Sequence, residues 1–181
     1  MVMPVPLRRF TTDEVDAFPA DGNRYELLDG VVFVTPAPGM LHQRVASRLM
    51  TMLAGFIDSR PPIEVFGPGV VPIDSTSRLE PDILVAEPAP PADDWAACRS
   101  RLLAVEISGS GSRLVDQTYK RDAYLAAGVR EVWLVDLERR HIIVARPGRP
   151  DETRPDRLEW RLDAAGPTLS IAIPELFLPR S

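Results

Sequence analysis

The segment RLLAVEISGSGSRLVDQTYKRDAYLAAGVREVWLVD, from Arg101 to Asp136, decides the fold class of this chain. It opens with RLLAVEIS, a compact apolar run that is suited to a buried strand. The stretch from Ser112 to Ala127 has a helical pattern, and Gly128 is a residue type that commonly follows the last turn of a helix. A second apolar run, EVWLVD, then predicts another strand. Strand, helix and strand in this order favour a sheet with helices packed on it.

The flanking sequence adds further strands and one long helix. Apolar runs on both sides of Asp29 and Gly30 predict a hairpin, because Asp-Gly is a strong signal for a type I′ turn. Apolar residues at helical spacing in LHQRVASRLMTMLAGFI predict an amphipathic helix. IEVFGPGVVPID, EPDILVAE and HIIVARP are β-rich runs, and EPAPPADDW (Glu87 to Trp95) is a proline-rich loop. The tail from Asp151 to Ser181 is loosely patterned, with a possible last strand at TLSIAI.

Neither an internal repeat nor a linker divides the chain. We therefore predict one α/β (α+β) domain over residues 1–181, with a mixed central β-sheet flanked by helices. A single cysteine, Cys98, excludes a disulfide framework and a cysteine-based zinc site. The chain lacks a membrane-length apolar run and a recognisable signal peptide, so we expect a cytoplasmic protein. The net charge of −5 argues against indiscriminate nucleic-acid binding without excluding nucleic acid.

Two carboxylates stand at the ends of predicted strands. Asp82 opens the strand in EPDILV, and Glu106 lies near the end of the apolar strand LLAVEIS. A buried ionised carboxylate is costly unless it is paired or binds a metal. If the two strand ends are adjacent, these side chains form an oxygen-rich pocket suited to Mg²⁺ or Mn²⁺. The alternative interpretations are a turn residue for Asp82 and a solvent-facing strand end for Glu106.

Lys120 is the only lysine in a chain that has 21 lysine and arginine residues together. An ammonium is a compact charge that can shift its pKa and position or deprotonate a water, whereas a guanidinium stays charged. Its place in the helix after Glu106 therefore makes Lys120 a candidate catalytic group. The alternative is an exposed helix residue that pairs with Asp116, at a gain of only about 0.3–0.5 kcal/mol.

Several motifs in combination resemble a known family. The chain resembles the Uma-two family, a group of restriction-endonuclease-like proteins in the PD-(D/E)xK nuclease superfamily, over roughly Tyr25 to Val144. The motifs that carry the resemblance are Pro81-Asp82, VEIS at 105–108, YKRDAYLAAGVREVWLVD at 119–136, the hairpin YELLDGVVFVTPAP at 25–38, and HQR at 42–44.

The resemblance implies a nuclease domain in which Asp82 and Glu106 are the metal-binding acids. The superfamily's lysine, two residues after the glutamate, falls on Ser108, which is a departure from the pattern. In this family the lysine is displaced to the next helix, where Lys120 stands. The resemblance also implies that Glu26 completes the acidic pocket.

His42 matches the family's histidine before the first long helix. It completes the same pocket, or it makes a cap or core hydrogen bond. The mechanism that we expect is hydrolysis of DNA with Mg²⁺, or Mn²⁺ as a substitute, held by both acids and the Ile107 carbonyl. Lys120 orients or deprotonates the attacking water, and Tyr124, one turn further on, supports it.

Two expectations concern assembly and the alternative function. Enzymes that cut both strands of a duplex commonly present two active sites about a two-fold axis, so we expect a homodimer. Trp133 or Trp160 contributes to that interface, or both belong to the core. The alternative function is a catalytically silent binding or scaffold module with a nuclease fold, which the net charge and Ser108 favour.

Overall fold

The computed structural model of the chain describes residues 8–35, 37–58, 60, 62–89, 94–109 and 115–179. Three predicted features lie partly or wholly outside these residues. They are the start of the helix predicted from Ser112, the middle of the proline-rich loop, and the side chain of Asp116.

The described residues form short helices and strands around one long helix. The helices are α1 (Thr12–Asp16), α2 (Met40–Ile57), α3 (Arg121–Ala126) and α4 (Ile173–Phe177), with a 3₁₀ turn at Trp95–Ala97 and a π-helical turn at Val115–Lys120 that leads into α3. The strands are β1 (Arg24–Leu28), β2 (Val31–Thr35), β3 (Glu64–Phe66), β4 (Val71–Asp74), β5 (Ser77–Leu79), β6 (Ile83–Glu87), β7 (Ser100–Ser108), β8 (Val132–Asp136), β9 (His141–Ala145), β10 (Glu152–Arg154), β11 (Arg157–Trp160) and β12 (Leu169–Ala172).

The central sheet is mixed, as the sequence predicts. Its strand order is β10-β9-β8-β7-β6-β3, and β7 pairs with β8 in parallel while the other neighbours are antiparallel. A parallel pair needs a crossover connection, and the helical segment that ends in α3 lies within it. The burial of β7 and β8 is nearly continuous, which explains their unbroken apolar sequences. The predicted α+β class is confirmed.

The predicted hairpin belongs to a second sheet of order β2-β1-β5-β4. Leu28 pairs with Val31, and both turn residues have positive φ, 50° for Asp29 and 75° for Gly30. This is the backbone that a type I′ turn requires, so the hairpin prediction is confirmed. The same hairpin brings β1 against the central sheet, where Glu26 becomes fully buried.

The apolar core occupies both faces of the central sheet. Helices α2 and α4 and strands β11 and β12 cover one face, while α3 and the hairpin sheet cover the other. Trp133 and Trp160 lie in the first cluster at 0% and 3% exposure, with ring centroids 5.7 Å apart. They are core residues, and the interface alternative for them is wrong.

The chain termini hold more regular structure than their sequences indicate. The tail, predicted as loosely patterned with one possible strand, contains β10, β11, β12 and α4. All three strands are short, and only β11 alternates strictly between exposed and buried residues. Helix α1 was not predicted either, although the Thr11 and Glu14 capping box starts it. Within the described ranges no helix has the length and apolar character needed to cross a membrane.

Candidate active site

Asp82 and Glu106 meet because β6 and β7 are antiparallel neighbours. Ile83 pairs with Val105 and Leu84 with Ala104, so extending the register by one residue sets Asp82 opposite Glu106. Directly opposite residues in such a pair have Cβ atoms about 4.5–5.5 Å apart. Both acids are nearly buried, and both line a cleft of about 530 Å³ at this end of the sheet.

Asp82 has donors on both carboxylate oxygens. Arg24 Nη1 donates to Oδ1 at 3.0 Å, while His42 Nε2 and the Ile107 backbone N–H lie 3.0 and 2.8 Å from Oδ2. Burial alone would raise the pKa of Asp82, but the contact with His42, the Arg24 charge and the Ile107 amide outweigh it and lower the pKa. Asp82 is therefore held as a carboxylate, and the turn-residue interpretation does not describe its environment.

Glu106 is held from the other side by the segment that leads into α3. The Tyr124 hydroxyl donates to Glu106 Oε1 at 2.6 Å, and Lys120 Nζ lies 3.5 Å from the same oxygen. Lys120 and Tyr124 are four residues apart, which places them on one face of a helix. Burial, followed by the charge of Glu106, raises the pKa of Tyr124 well above its usual value, so the phenol stays protonated as a donor.

Lys120 is a buried residue at 4% exposure. Its Nζ lies 2.5 Å from Glu26 Oε2, and the other Glu26 oxygen accepts the backbone N–H of Glu80 at 2.9 Å. The interpretation of Lys120 as an exposed surface cation is therefore wrong. The ammonium lies between Glu26 on β1 and Glu106 on β7, and its side chain still lines the cleft.

Arg24 is a member of the site that the sequence did not predict. Its side chain is 22% exposed, pairs with Asp82 and lines the cleft. Burial alone would lower the pKa of Arg24, but the negative charges of Asp82, Glu26 and Glu106 outweigh it and raise the pKa. One signal was present in the sequence. Arg24 and Glu26 are two residues apart on β1, so their side chains point to the same face of the strand.

His42 lies in the first turn of α2 and faces Asp82 rather than serving as a cap. Its Nδ1 is buried and has no hydrogen-bond partner among the described residues. Ser108 is also buried, and its Oγ has no hydrogen-bond partner in the described part of the chain. Ser108, which stands where the sequence motif has a lysine, thus supplies only a small buried hydroxyl. The ammonium that lies beside Glu106 belongs to Lys120 instead.

The donor set is suited to a hard cation bound by few protein groups. Among the described ranges no cluster of three or more histidine, cysteine, aspartate or glutamate side chains could form a full metal cage. Mg²⁺ seldom uses such a cage, because it keeps several waters and takes one or two carboxylates together with substrate phosphates. Asp82 and Glu106, which supply carboxylate oxygens to one cleft, fit that requirement.

Comparisons with known proteins establish the fold and the family of this chain. The chain resembles, at 18% identity and a TM-score of 0.78, the crystal structure of a putative nuclease belonging to DUF820 from Anabaena variabilis ATCC 29413. The similarity covers 93% of this chain and 97% of that one, and it establishes the fold. No curated protein sequence matches the chain. The family model described as a putative restriction endonuclease matches residues 12–174, which supports a nuclease. The chain therefore belongs to the Uma-two family of putative restriction endonucleases.

Proposed function

We propose that the cleft hydrolyses phosphodiester bonds of DNA with Mg²⁺, for which Mn²⁺ can substitute. One observation carries this proposal. A buried ammonium, Lys120 Nζ, lies 3.5 Å from Glu106 Oε1 in a cleft that Asp82 also lines. Two acids and an ammonium are the groups that a metal-dependent nuclease uses to stabilise negative charge on a phosphate and to activate a water.

Asp82, Glu106 and the carbonyl oxygen of Ile107 would hold the cation. When bound, a divalent cation would stabilise charge on the scissile phosphate and make an attacking water more acidic. The protein fixes these donors before a substrate arrives. The amide of Ile107 fixes Asp82, and the hydroxyl of Tyr124 fixes Glu106.

Lys120 would orient the attacking water as an ammonium, or accept its proton as the neutral amine. Glu26 holds the ammonium at 2.5 Å, so the position of Nζ is set without a contribution from the substrate. A lysine amine can lose its proton, which a guanidinium does not do. Tyr124 supports the arrangement by fixing the Glu106 oxygen that Lys120 faces.

Arg24 and His42 are the cleft side chains beside Asp82. Both line the cleft and both contact the Asp82 carboxylate. The guanidinium of Arg24 balances the negative charge of Asp82. Because Arg24 also lines the cleft, it would be placed to contact a phosphate oxygen of the DNA backbone.

DNA is the proposed partner, and a homodimer is the proposed assembly, because cutting both strands of a duplex uses two sites. The family, which is described as a putative restriction endonuclease, supports DNA as the substrate. We retain the cytoplasm as the proposed location, since a single cysteine leaves no pair for an internal disulfide.

Cleavage of supercoiled plasmid with Mg²⁺ or Mn²⁺ tests the function. Asp82→Asn and Glu106→Gln keep the side-chain shapes and should each lower cleavage at least about 10²-fold, the scale of a lost catalytic group. Glu87→Gln is the matched control, because Glu87 lies at the far end of β6 and outside the cleft. Undiminished cleavage by both site variants, folded by circular dichroism, would overturn the assignment.

A silent binding module is the second candidate. The observation that favours it is that both Asp82 oxygens already have donors from the protein itself. A module of this kind should bind DNA without cutting it in any divalent metal. Metal-dependent cutting by the wild-type protein that Asp82→Asn abolishes would eliminate this candidate.

A further inference from the structure

A second pocket, of about 360 Å³, lies at the other end of the central sheet. Strand β7 links the two sites, since Leu102 lines this pocket and Ile107 lines the active-site cleft. Five residues of strand separate them, a distance of about 17 Å at about 3.3 Å per residue. The pocket is therefore separate from the proposed catalytic cleft.

The pocket concentrates positive charge in an acidic protein. Four arginines line it against two acids, Glu131 and Asp163, so the lining carries a positive balance while the whole chain has a net charge of −5. The arginines are Arg130, Arg146, Arg149 and Arg161. An excess of guanidinium groups in a concave site favours an anionic ligand, because guanidinium pairs with phosphate through two parallel hydrogen bonds.

Two of the arginines are fixed in place by the protein. Arg146 donates through Nε to Glu131 at 2.7 Å and through Nη1 to Glu152 at 3.2 Å. Glu131, which is 8% exposed, is in turn held by the indole N–H of Trp133 at 2.6 Å. Arg130 donates to the carbonyl of Leu162 at 3.1 Å, which ties the loop after β11 to the pocket wall.

The other two arginines keep donors available for a ligand. Arg161 uses only Nε, which donates to Thr168 Oγ1 at 2.6 Å, and the Arg149 side chain makes no hydrogen bond or ion pair within the described residues. Both are exposed residues. Ordered guanidinium groups at the wall and free ones at the rim are an arrangement that can close around a phosphate.

Apolar side chains line the same pocket. Pro147 is exposed and Leu162 is half-buried, so these two offer the open apolar surface, while Leu102 and Trp160, at 7% and 3% exposure, contribute little of it. A mixture of guanidinium groups and apolar surface suits a ligand that has a phosphate and a flat, weakly polar body. We propose that this pocket binds a small phosphomonoester, with nucleoside 5′-monophosphates as the chemical class.

Calorimetric titration of the full chain with deoxyadenosine 5′-monophosphate, inorganic phosphate and deoxyadenosine tests the proposal. The nucleotide should bind at least about 10-fold more tightly than inorganic phosphate, because it also contacts the apolar wall, and deoxyadenosine should bind more weakly than the nucleotide. The double variant Arg149→Gln/Arg161→Gln should weaken nucleotide binding at least about 10-fold. Plasmid cleavage by this variant should match that of the wild type.

Arg157→Gln is the matched control. Arg157 is exposed and donates to Ser170 Oγ across the β11–β12 hairpin, as Arg161 does to Thr168, but it does not line the pocket. The Arg157→Gln protein should bind the nucleotide with the affinity of the wild type. Undetectable nucleotide binding by the wild type, equal binding by the double variant, or equal affinity for nucleotide and inorganic phosphate would overturn the proposal. So would loss of duplex DNA binding in the double variant, which would identify this face as a contact to the DNA backbone.

Discussion

The variant Lys120→Arg tests whether Lys120 takes part in catalysis or supplies only a positive charge. The Lys120 side chain is 5% exposed, and its Nζ is confined between Glu26 Oε2 at 2.5 Å and Glu106 Oε1 at 3.5 Å. A guanidinium keeps the charge but is larger than the ammonium that lies between these two carboxylates. Overfilling a packed site costs about 1–3 kcal/mol. For a chain of this length each kcal/mol lowers Tm by about 2–4 °C.

The loss of activity should exceed what this loss of stability explains. An arginine remains protonated and places a fork where the attacking water is handled, so we expect the cleavage rate to fall by at least about 10²-fold. The assay is plasmid cleavage at saturating Mg²⁺, at a temperature well below the Tm of both proteins. Since both are then folded, the rate reports on chemistry.

Arg121→Lys is the control for that experiment. Arg121 is the next residue, is 22% exposed and pairs with Asp122 and Asp151 at the surface. Exchanging its cation should change cleavage little. A folded Lys120→Arg protein that cleaves DNA at the wild-type rate would refute the role of Lys120 in handling the water.

Three further predictions follow from the contacts of the site. Tyr124→Phe removes the donor to a buried Glu106 oxygen and should lower the free energy of unfolding by about 1–3 kcal/mol, measured with urea. Because the pKa of Tyr124 is raised in the folded protein, its contribution to stability is complete below about pH 10 and is lost as the pH rises further. The free energy of unfolding, measured with urea, should therefore fall less steeply above about pH 10 in Tyr124→Phe than in the wild type. Arg24→Gln removes a cation that competes for Asp82 and should tighten Mn²⁺ binding in calorimetry, whereas weaker binding would contradict that competition.

The fold was predictable where apolar periodicity was strong. The hairpin at Asp29 and Gly30, helix α2 and strands β7 and β8 follow directly from their patterns, because each buries a continuous face. Helix α1 and strand β10 are short and mostly exposed, so their patterns are weak, whereas β11 alternates strictly between exposed and buried residues but is only four residues long. Their places depend on contacts with distant parts of the chain, which a local pattern does not record.

The site was predictable as a set of residues and less so as a set of contacts. The motifs named the acids and the lysine, and strand pairing brings Asp82 and Glu106 together. The sequence did not reveal that Glu26 reaches Lys120 across 94 positions of the chain. Arg24 was missed although it shares a strand face with Glu26, because that placement alone does not distinguish it from the other arginines. Its role is defined only by the carboxylate that it meets in the folded protein.

Calorimetric titration with Mn²⁺ tests most directly whether Asp82 and Glu106 form a metal site. The wild-type protein should bind the ion saturably, and Asp82→Asn, which keeps the shape of the side chain but removes its charge, should abolish that binding. Glu87→Gln, at the far end of the same strand, should bind like the wild type. Absence of binding to the wild type, or equal binding by Asp82→Asn, would contradict the account of this cleft as a metal-dependent nuclease site.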